Sequence, residues 1–301
     1  MTTSPHRTAL PHAPEVTGLI AEAAARLSGL DPDGMILVRH QTSGVYRLNT
    51  APVIIKVAPP GEHHLADVVA LVAWLQKHGV PTVELWGDPA DQPLHIDDRV
   101  VTLWRYLPQE RAVRAPDIAE SLLALHDAPV PPSGLRRLDA FGPIRRSIAS
   151  SPLLTDDDRD LLKRLCDRLA QDEAILTAGV ATGLIHGDAQ HRNTLLDPAT
   201  GRAVLSDWDS AVLGPREWDL TTIEVHCRRF AHPPAEYDQF CHRYGRDVRD
   251  WAGYPWLREV RELRMITSNA RKSPPGSPAA AEVRRRIDDL RDGRESTWNI
   301  L

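Results

Sequence analysis

Lysine is scarce in this sequence. Of 36 basic residues only four are lysine, Lys56, Lys77, Lys163 and Lys272, so a lysine in a telling position carries weight that an arginine does not. Cysteine is scarcer still and odd in number. Cys166, Cys227 and Cys241 show no close pairing, which argues against a disulfide framework and for a reducing compartment. Long apolar runs are missing: VVALVAWL at 68–75 is far too short to span a bilayer. The opening MTTSPHRTALPHAPEV has no apolar core of signal-peptide length. These absences predict a cytoplasmic protein without a membrane partner. A basic excess is missing too. The formal net charge is −5, which removes the electrostatic case for a nucleic-acid partner. A mild acidic balance keeps proteins soluble and would also suit a cationic small substrate.

What is present is an ordinary globular composition, 42% hydrophobic and 26% charged over 301 residues. That length buries a sizeable core and is commonly divided into two domains. Heavy use of arginine, alanine and proline is the coding habit of a GC-rich bacterial gene.

Residues 1–14, with Pro5, Pro11 and Pro14 and no periodicity, read as a flexible tail. EVTGLIAEAAARLSGL then places Val16, Leu19, Ile20, Ala23, Ala24 and Leu27 at helical spacing. Three β-like runs follow, MILVRH, VYRLN and PVIIKV, and then an amphipathic helix over 64–79. PLHID and RVVTLWRYL read as a strand pair around a polar turn. Residues 15–104 are therefore a small, mostly antiparallel sheet with helices, and 105–110 a hinge. Residues 111–301 are mostly helical, with α-type patterns in PDIAESLLALHDA and TDDDRDLLKRLCDRLAQDEAIL; SPPGSP separates the last two helices. The fold class this predicts is α+β in two lobes.

One stretch is crowded with chemistry: GLIHGDAQHRNTLLD, 183–197. GLIH and TLLD are short apolar runs, so GDAQHRN is a loop between strands, and AVLSDWD ends a further apolar run. Asp188, Asn193 and Asp207 thus sit at strand ends, where a rigid base can aim them. Phosphoryl transfer needs a carboxylate to receive the hydroxyl proton, oxygen ligands for Mg²⁺ and a cation on the nucleotide phosphates. In the protein-kinase loop an Asp precedes the metal-binding Asn by five positions, and a second metal aspartate follows on a neighbouring strand. Asp188, Asn193 and Asp207 repeat that order. The kinase lysine sits in a strand of the preceding sheet, and Lys56 is the only lysine in such a strand. Alternation sets Val53, Ile55 and Val57 on one face of it and Lys56 on the other.

The HGDxxxxN pattern at 186–193, followed by DWD and GPREWDL, resembles the aminoglycoside phosphotransferase family of the protein-kinase-like fold. The resemblance covers most of the chain. It implies ATP, or GTP, as co-substrate, Mg²⁺ as cofactor and a hydroxylated small molecule as acceptor. It makes Asp188 the catalytic base, Asn193 and Asp207 the metal ligands and His186 a support under the loop. Lys56 would hold the α- and β-phosphates, with Ser43 and Gly44 over the phosphates in place of a glycine-rich GxGxxG. Arg105, Tyr106 and Leu107 would offer backbone groups to the adenine. The partner of Lys56 is assigned to Asp67, with Glu62 the other acid near that helix. Asp207 is preferred to Asp209 because it directly ends the apolar run. HGD in place of HRD, with no APE-like segment, speaks against a protein kinase.

Should the acceptor carry amines, the carboxylates beyond the loop are the candidates: Asp219, Glu224, Glu259 and Glu262. The acceptor is open among antibiotics, amino alcohols and sugars. Two other readings remain: a non-catalytic nucleotide-binding protein on the same fold, and a zinc-dependent hydrolase using His186, His191 and Asp188. In the phosphotransferase reading His191 is expected to face solvent.

Overall fold

The computed structural model describes residues 12–62, 64–131 and 134–301. Residues 1–11 of the expected flexible tail, and 132–133 of the loop after residue 128, lie outside the described residues. The chain forms two compact units. The first runs to Ala112 and takes in Leu195–Asp209; the second comprises Val113–Thr194 and Ser210–Leu301. No helix among the described residues is long and apolar enough to cross a membrane.

In the first unit, helix α1 (Pro14–Leu27) opens on a proline, whose missing N–H costs nothing at that position. The unit holds a five-stranded antiparallel sheet of order β1-β2-β3-β5-β4. The strands are β1 (Ile36–His40), β2 (Gly44–Arg47), β3 (Val53–Val57), β4 (Leu94–Ile96) and β5 (Arg99–Arg105). Helix α2 (Leu65–Lys77) lies between β3 and β4 in the chain. The period-two pattern of β3 decides its faces: Val53, Ile55 and Val57 are fully buried, while Ile54 and Lys56 lie opposite. The buried face packs under Ile20, Ala21, Ala24 and Ala25 of α1, where small side chains let the helix approach closely. Thr17 and Tyr46 share a 2.7 Å hydrogen bond across this contact.

Segment 81–86 ties the late piece of chain into this unit. On one side Trp86 donates to the Leu103 carbonyl and Arg105 to the Glu84 carbonyl, both at 2.9 Å. On the other, Val83 donates to Leu205 at 2.9 Å and Leu205 to Pro81 at 3.0 Å. Leu205 ends β8 (Ala203–Leu205), which pairs with β7 (Thr194–Leu196). Three residues on, the buried Trp208 donates its indole N–H to Thr82 Oγ1 at 2.7 Å.

The second unit is helical around one short ribbon, β6 (Thr182–Ile185) antiparallel to β9 (Val212–Pro215). Its helices are α3 (Ala115–Asp127), α4 (Gly142–Ser150), α5 (Asp156–Leu176), α6 (Glu217–Arg229), α7 (Pro234–Tyr244), α8 (Tyr254–Lys272) and α9 (Pro278–Asp292). Helix α8 is the hub, packed against α4, α5, α6 and α9. Its Leu257, Val260, Leu263 and Ile266 recur at helical spacing and join one core with Ile144, Cys166, Trp218 and Ile287. All three cysteines are free. Neither α4 nor β9 is foreshadowed by periodicity. GPIRRSIAS is short and carries two adjacent arginines, and VLGP ends on a proline.

Asp158 joins α5 to α9. It closes a capping box with Thr155 and also pairs with Arg284 and Arg291 of α9. Burial alone would raise its pKa, but the Thr155 hydroxyl and amide, then the two arginines, hold it down to about 2 from 3.8. A depressed carboxylate contributes stability that is full above the unfolded value and is lost as pH falls through the folded one. Asp158→Asn is therefore expected to lower the urea midpoint near neutral pH. It should also flatten the wild-type loss of stability between about 3.8 and about 2. Urea melts at stepped pH check both; parallel curves for the two proteins would refute it.

Candidate active site

In the first unit, Lys56 projects from the side of β3 opposite the α1 core. Its Nζ donates to Asp207 Oδ1 at 2.8 Å and to Asp209 Oδ2 at 2.9 Å. Burial works against the charge of Lys56, but the two carboxylates outweigh it and raise its pKa, so the ammonium persists. Asp207 holds φ at 64°, a left-handed conformation that aspartate tolerates better than most residues. That turn, made directly after β8, brings both acids of DWD to one ammonium. Asp67, the assigned partner, is instead exposed on the first turn of α2, where the helix dipole suits an acid. Glu62 pairs with His64 at 2.7 Å.

Gly44 begins β2 and lies under α1. A Cβ there would stand 2.9 Å from Thr17 Oγ1 and 3.0 Å from the Tyr46 ring, so close packing already requires the glycine. Ser43 precedes it in a half-buried bend. Of the hinge residues, Arg105 spends its amide on Glu84 and Tyr106 spends its amide on Pro52. The Tyr106 ring carries Arg47, whose Cζ is 5.1 Å from the ring centroid. Leu107 is buried, and its amide makes no hydrogen bond among the described residues.

In the second unit the loop after β6 is built on one buried acid. Asp219, in the first turn of α6, is fully buried and accepts the amides of His186 at 2.7 Å and Gly187 at 2.9 Å. His126 Nε2 lies 3.1 Å from the same carboxylate. The neighbouring Trp218 donates to the Gly187 carbonyl at 2.9 Å. Gly187 is thereby held at φ 82°, and the chain turns so that Asp188 leaves the core.

Three donors fix the Asp188 carboxylate. Asn193 Nδ2 at 3.0 Å and Gln190 Nε2 at 3.2 Å reach Oδ2, and Arg261 of α8 reaches Oδ1 at 3.2 Å. Desolvation would raise the pKa of Asp188. The Arg261 guanidinium first, aided by the Gln190 hydrogen bond, holds it below the usual carboxylate range. Burial pushes His226 itself down to about 3, so it stays neutral. Because Asn193 gives its Nδ2 to Asp188, its carbonyl oxygen is the atom it offers a ligand. An amide oxygen of this kind is a donor that a hard cation such as Mg²⁺ accepts.

The four acids expected to meet an amine-bearing acceptor are otherwise engaged. Asp219 anchors the loop. Glu224 takes Arg228 at 3.2 Å, Glu259 takes Arg168 at 2.6 Å, and Glu262 takes Arg229 at 2.7 Å together with Arg228. His191 is not solvent-facing. It is 3.0 Å from Glu236 and stacks on His232 with centroids 4.2 Å apart. His191, His232 and Glu236 bring ligand atoms within 4.8 Å of one another. The two imidazoles are parallel within 13°, so their lone pairs lie in separate planes and a shared ion would require ring rotation. Glu236 also takes the Ala115 amide at 2.8 Å. Sequence pattern does not single out Arg261, one arginine among many, as the partner of Asp188, and it ranks Asp209 second to Asp207 although both meet Lys56.

A family model described as phosphotransferase enzyme family matches residues 34–260. No curated protein shows a significant match. Three solved structures resemble the fold. Amicoumacin kinase hAmiN, in complex with AMP-PNP, Ca²⁺ and Ami, gives a TM-score of 0.72 at 13% identity over 94% of this chain and 97% of its own. Spectinomycin phosphotransferase APH(9)-Ia, with ADP and spectinomycin, gives 0.65 at 15% over 90% and 94%. A choline/ethanolamine kinase family protein from Mesorhizobium loti gives 0.64 at 16% over 92% and 93%.

The loop's dependence on Gly187 can be tested directly. A Cβ at this position would run into the Ser210 carbonyl, on a backbone that L side chains rarely adopt. Gly187→Ala is expected to lower stability by about 1–3 kcal/mol in urea denaturation. Gly183→Ala, four residues earlier with open space at its Cβ, should change it little. Equal effects would refute the constraint.

Proposed function

The chain belongs to the phosphotransferase enzyme family, and we propose that it transfers the γ-phosphoryl group of ATP or GTP to a hydroxyl of a small molecule, with Asp188 as the base. The observation that carries this reading is the Asp188 carboxylate, kept ionised and oriented by Arg261, Asn193 and Gln190. An ionised carboxylate accepts about four hydrogen bonds in all. Oδ2 already receives two donors and Oδ1 one, so Oδ1 keeps a place for the acceptor hydroxyl. Asp188 takes that proton as the acceptor oxygen bonds to the γ-phosphorus and the bond to the bridging β–γ oxygen breaks, releasing the nucleoside diphosphate.

Lys56 serves as the cation on the nucleotide phosphates, kept charged by Asp207 and Asp209. The Leu107 amide, with no hydrogen bond among the described residues, suits the adenine edge better than Arg105 or Tyr106. Asp207 and Asn193 are the residues whose oxygens would hold a magnesium ion, which would neutralise charge developing on the phosphates. Positioning and electrostatics carry most of the rate in this chemistry, because little covalent work falls to the protein.

Two variants test the roles. Asp188→Ala is expected to cut acceptor-dependent ADP release by about 10²-fold or more. Mg-ATP binding, followed by calorimetry, should remain, and normal turnover in the variant would sink the mechanism. Arg261→Met removes the first cation that holds the Asp188 pKa down, so that pKa rises. Activity needs the ionised form, so the acid limb of the pH–rate profile should move to higher pH. An unmoved limb in the folded variant would show that Arg261 does not tune the base.

A further inference from the structure

The charge around Asp188 in the second unit is not what an amine-bearing acceptor calls for. Every acid nominated to meet such an acceptor is already paired or anchoring the loop. Arginines stand near the base instead. Arg261 and Arg264, one turn apart on α8, share a helix face and both lie on the Trp218 indole, with Cζ atoms 4.8 Å and 5.3 Å from its centroid. Arg261 is matched by Asp188. Arg264 is half-buried and has no matching carboxylate among the described residues. It donates one N–H to the Asp139 carbonyl at 3.1 Å. The Asp139 side chain is spent on the Gly142 amide at 2.6 Å and, at 3.8 Å, on Arg146.

A guanidinium has five donors in a planar fork. Taking one out of water without an anion is costly, which is why buried cations are normally paired. The strain shows in its titration. Burial, then the like charges of Arg261 and Arg146, push Arg264 down to about 10 against the pull of Asp188 and Asp139. An uncompensated fork beside a catalytic carboxylate is a receptor for a planar or tetrahedral oxyanion.

Resting on the phosphotransferase reading, the geometry points to an acceptor that carries its own anionic group, a carboxylate or phosphate near the reacting hydroxyl, bound by Arg264 while Asp188 receives the proton. The γ-phosphoryl group is the other anion such a cation could grip, and it would leave no charge preference among acceptors.

The test uses the full chain with Mg-ATP and two matched sets of probes: gluconate, gluconamide and glucamine, and glycerate, glyceramide and aminopropanediol. Each set varies one end alone, from carboxylate to neutral amide to ammonium. ADP release should favour the carboxylates over amides and amines by about tenfold or more in kcat/KM, the worth of one charge-assisted hydrogen-bonded pair. Arg264→Gln should erase that preference by raising KM for the carboxylate about tenfold, with kcat little changed and the amide unaffected, and Arg264→Lys should restore part of it. Preference for amines, or none at all, overturns the inference. So does an Arg264→Gln variant that slows carboxylate and amide alike, which would assign Arg264 to the transferred group. Silence from all six in a protein that turns over an acceptor without an anionic group overturns the inference alone, whereas turnover of another anionic acceptor that Arg264→Gln weakens through KM supports it. If no hydroxyl compound releases ADP, the phosphotransferase reading fails and takes the inference with it.

Discussion

A carboxylate with no access to water holds the loop after β6 in place. Asp219 is buried completely, and a charge in that position survives only with its lone pairs filled. Two consecutive amides and the ring of His126 fill them, helped by the positive end of α6. Everything that follows in the loop inherits its direction from this arrangement. Gly187 can adopt its left-handed turn because its amide and carbonyl are both captured, one by Asp219 and the other by Trp218. Asp188 then emerges within reach of Arg261, and Asn193 closes back onto it. Both oxygens of Asp219 are thereby occupied from within the protein.

The fold was legible wherever local pattern and tertiary role agree. The alternation of VIIKV, the alanine-rich face of α1 and the spacing within HGDAQHRN are short-range signals, and the α+β class and the family follow from them. Partners were not legible. The acids on Lys56 lie 151 and 153 residues further along the chain, whereas the acids nearest in sequence, Glu62 and Asp67, belong to other surroundings. Arg261 meets Asp188 across 73 residues, and nothing in the pattern of α8 separates it from its neighbouring arginines. Glu224, Glu259 and Glu262 have the composition of a cation-binding surface, but each is answered by an arginine from a neighbouring turn or helix. In an arginine-rich chain, acidic side chains are poor guides to free negative charge.

Net charge misleads for the same reason. The whole molecule is acidic, but the surroundings of Asp188 are set by Arg261 and Arg264, which sit three residues apart on one helix. The low pKa of Asp188 and the lowered pKa of Arg264 both register the pair of guanidiniums on α8. Trp218 links them, since its indole supports both arginines while its N–H fixes Gly187. A single aromatic ring thus couples the loop's backbone to the electrostatics of its carboxylate.

The first unit is discontinuous, and this has a consequence for how the chain is made. Segment 81–86 finds its outer partners in Leu205 and Trp208, and among the described residues Lys56 finds its counter-charges in Asp207 and Asp209. A ribosome delivering roughly 5–20 residues per second reaches that segment several seconds after Ala112 has been added. Throughout that interval the nascent sheet carries an unsatisfied strand edge and an unbalanced ammonium. Completion of the first unit therefore waits on synthesis of much of the other, and a polypeptide ending before residue 205 lacks both the outer partner of segment 81–86 and the counter-charges of Lys56.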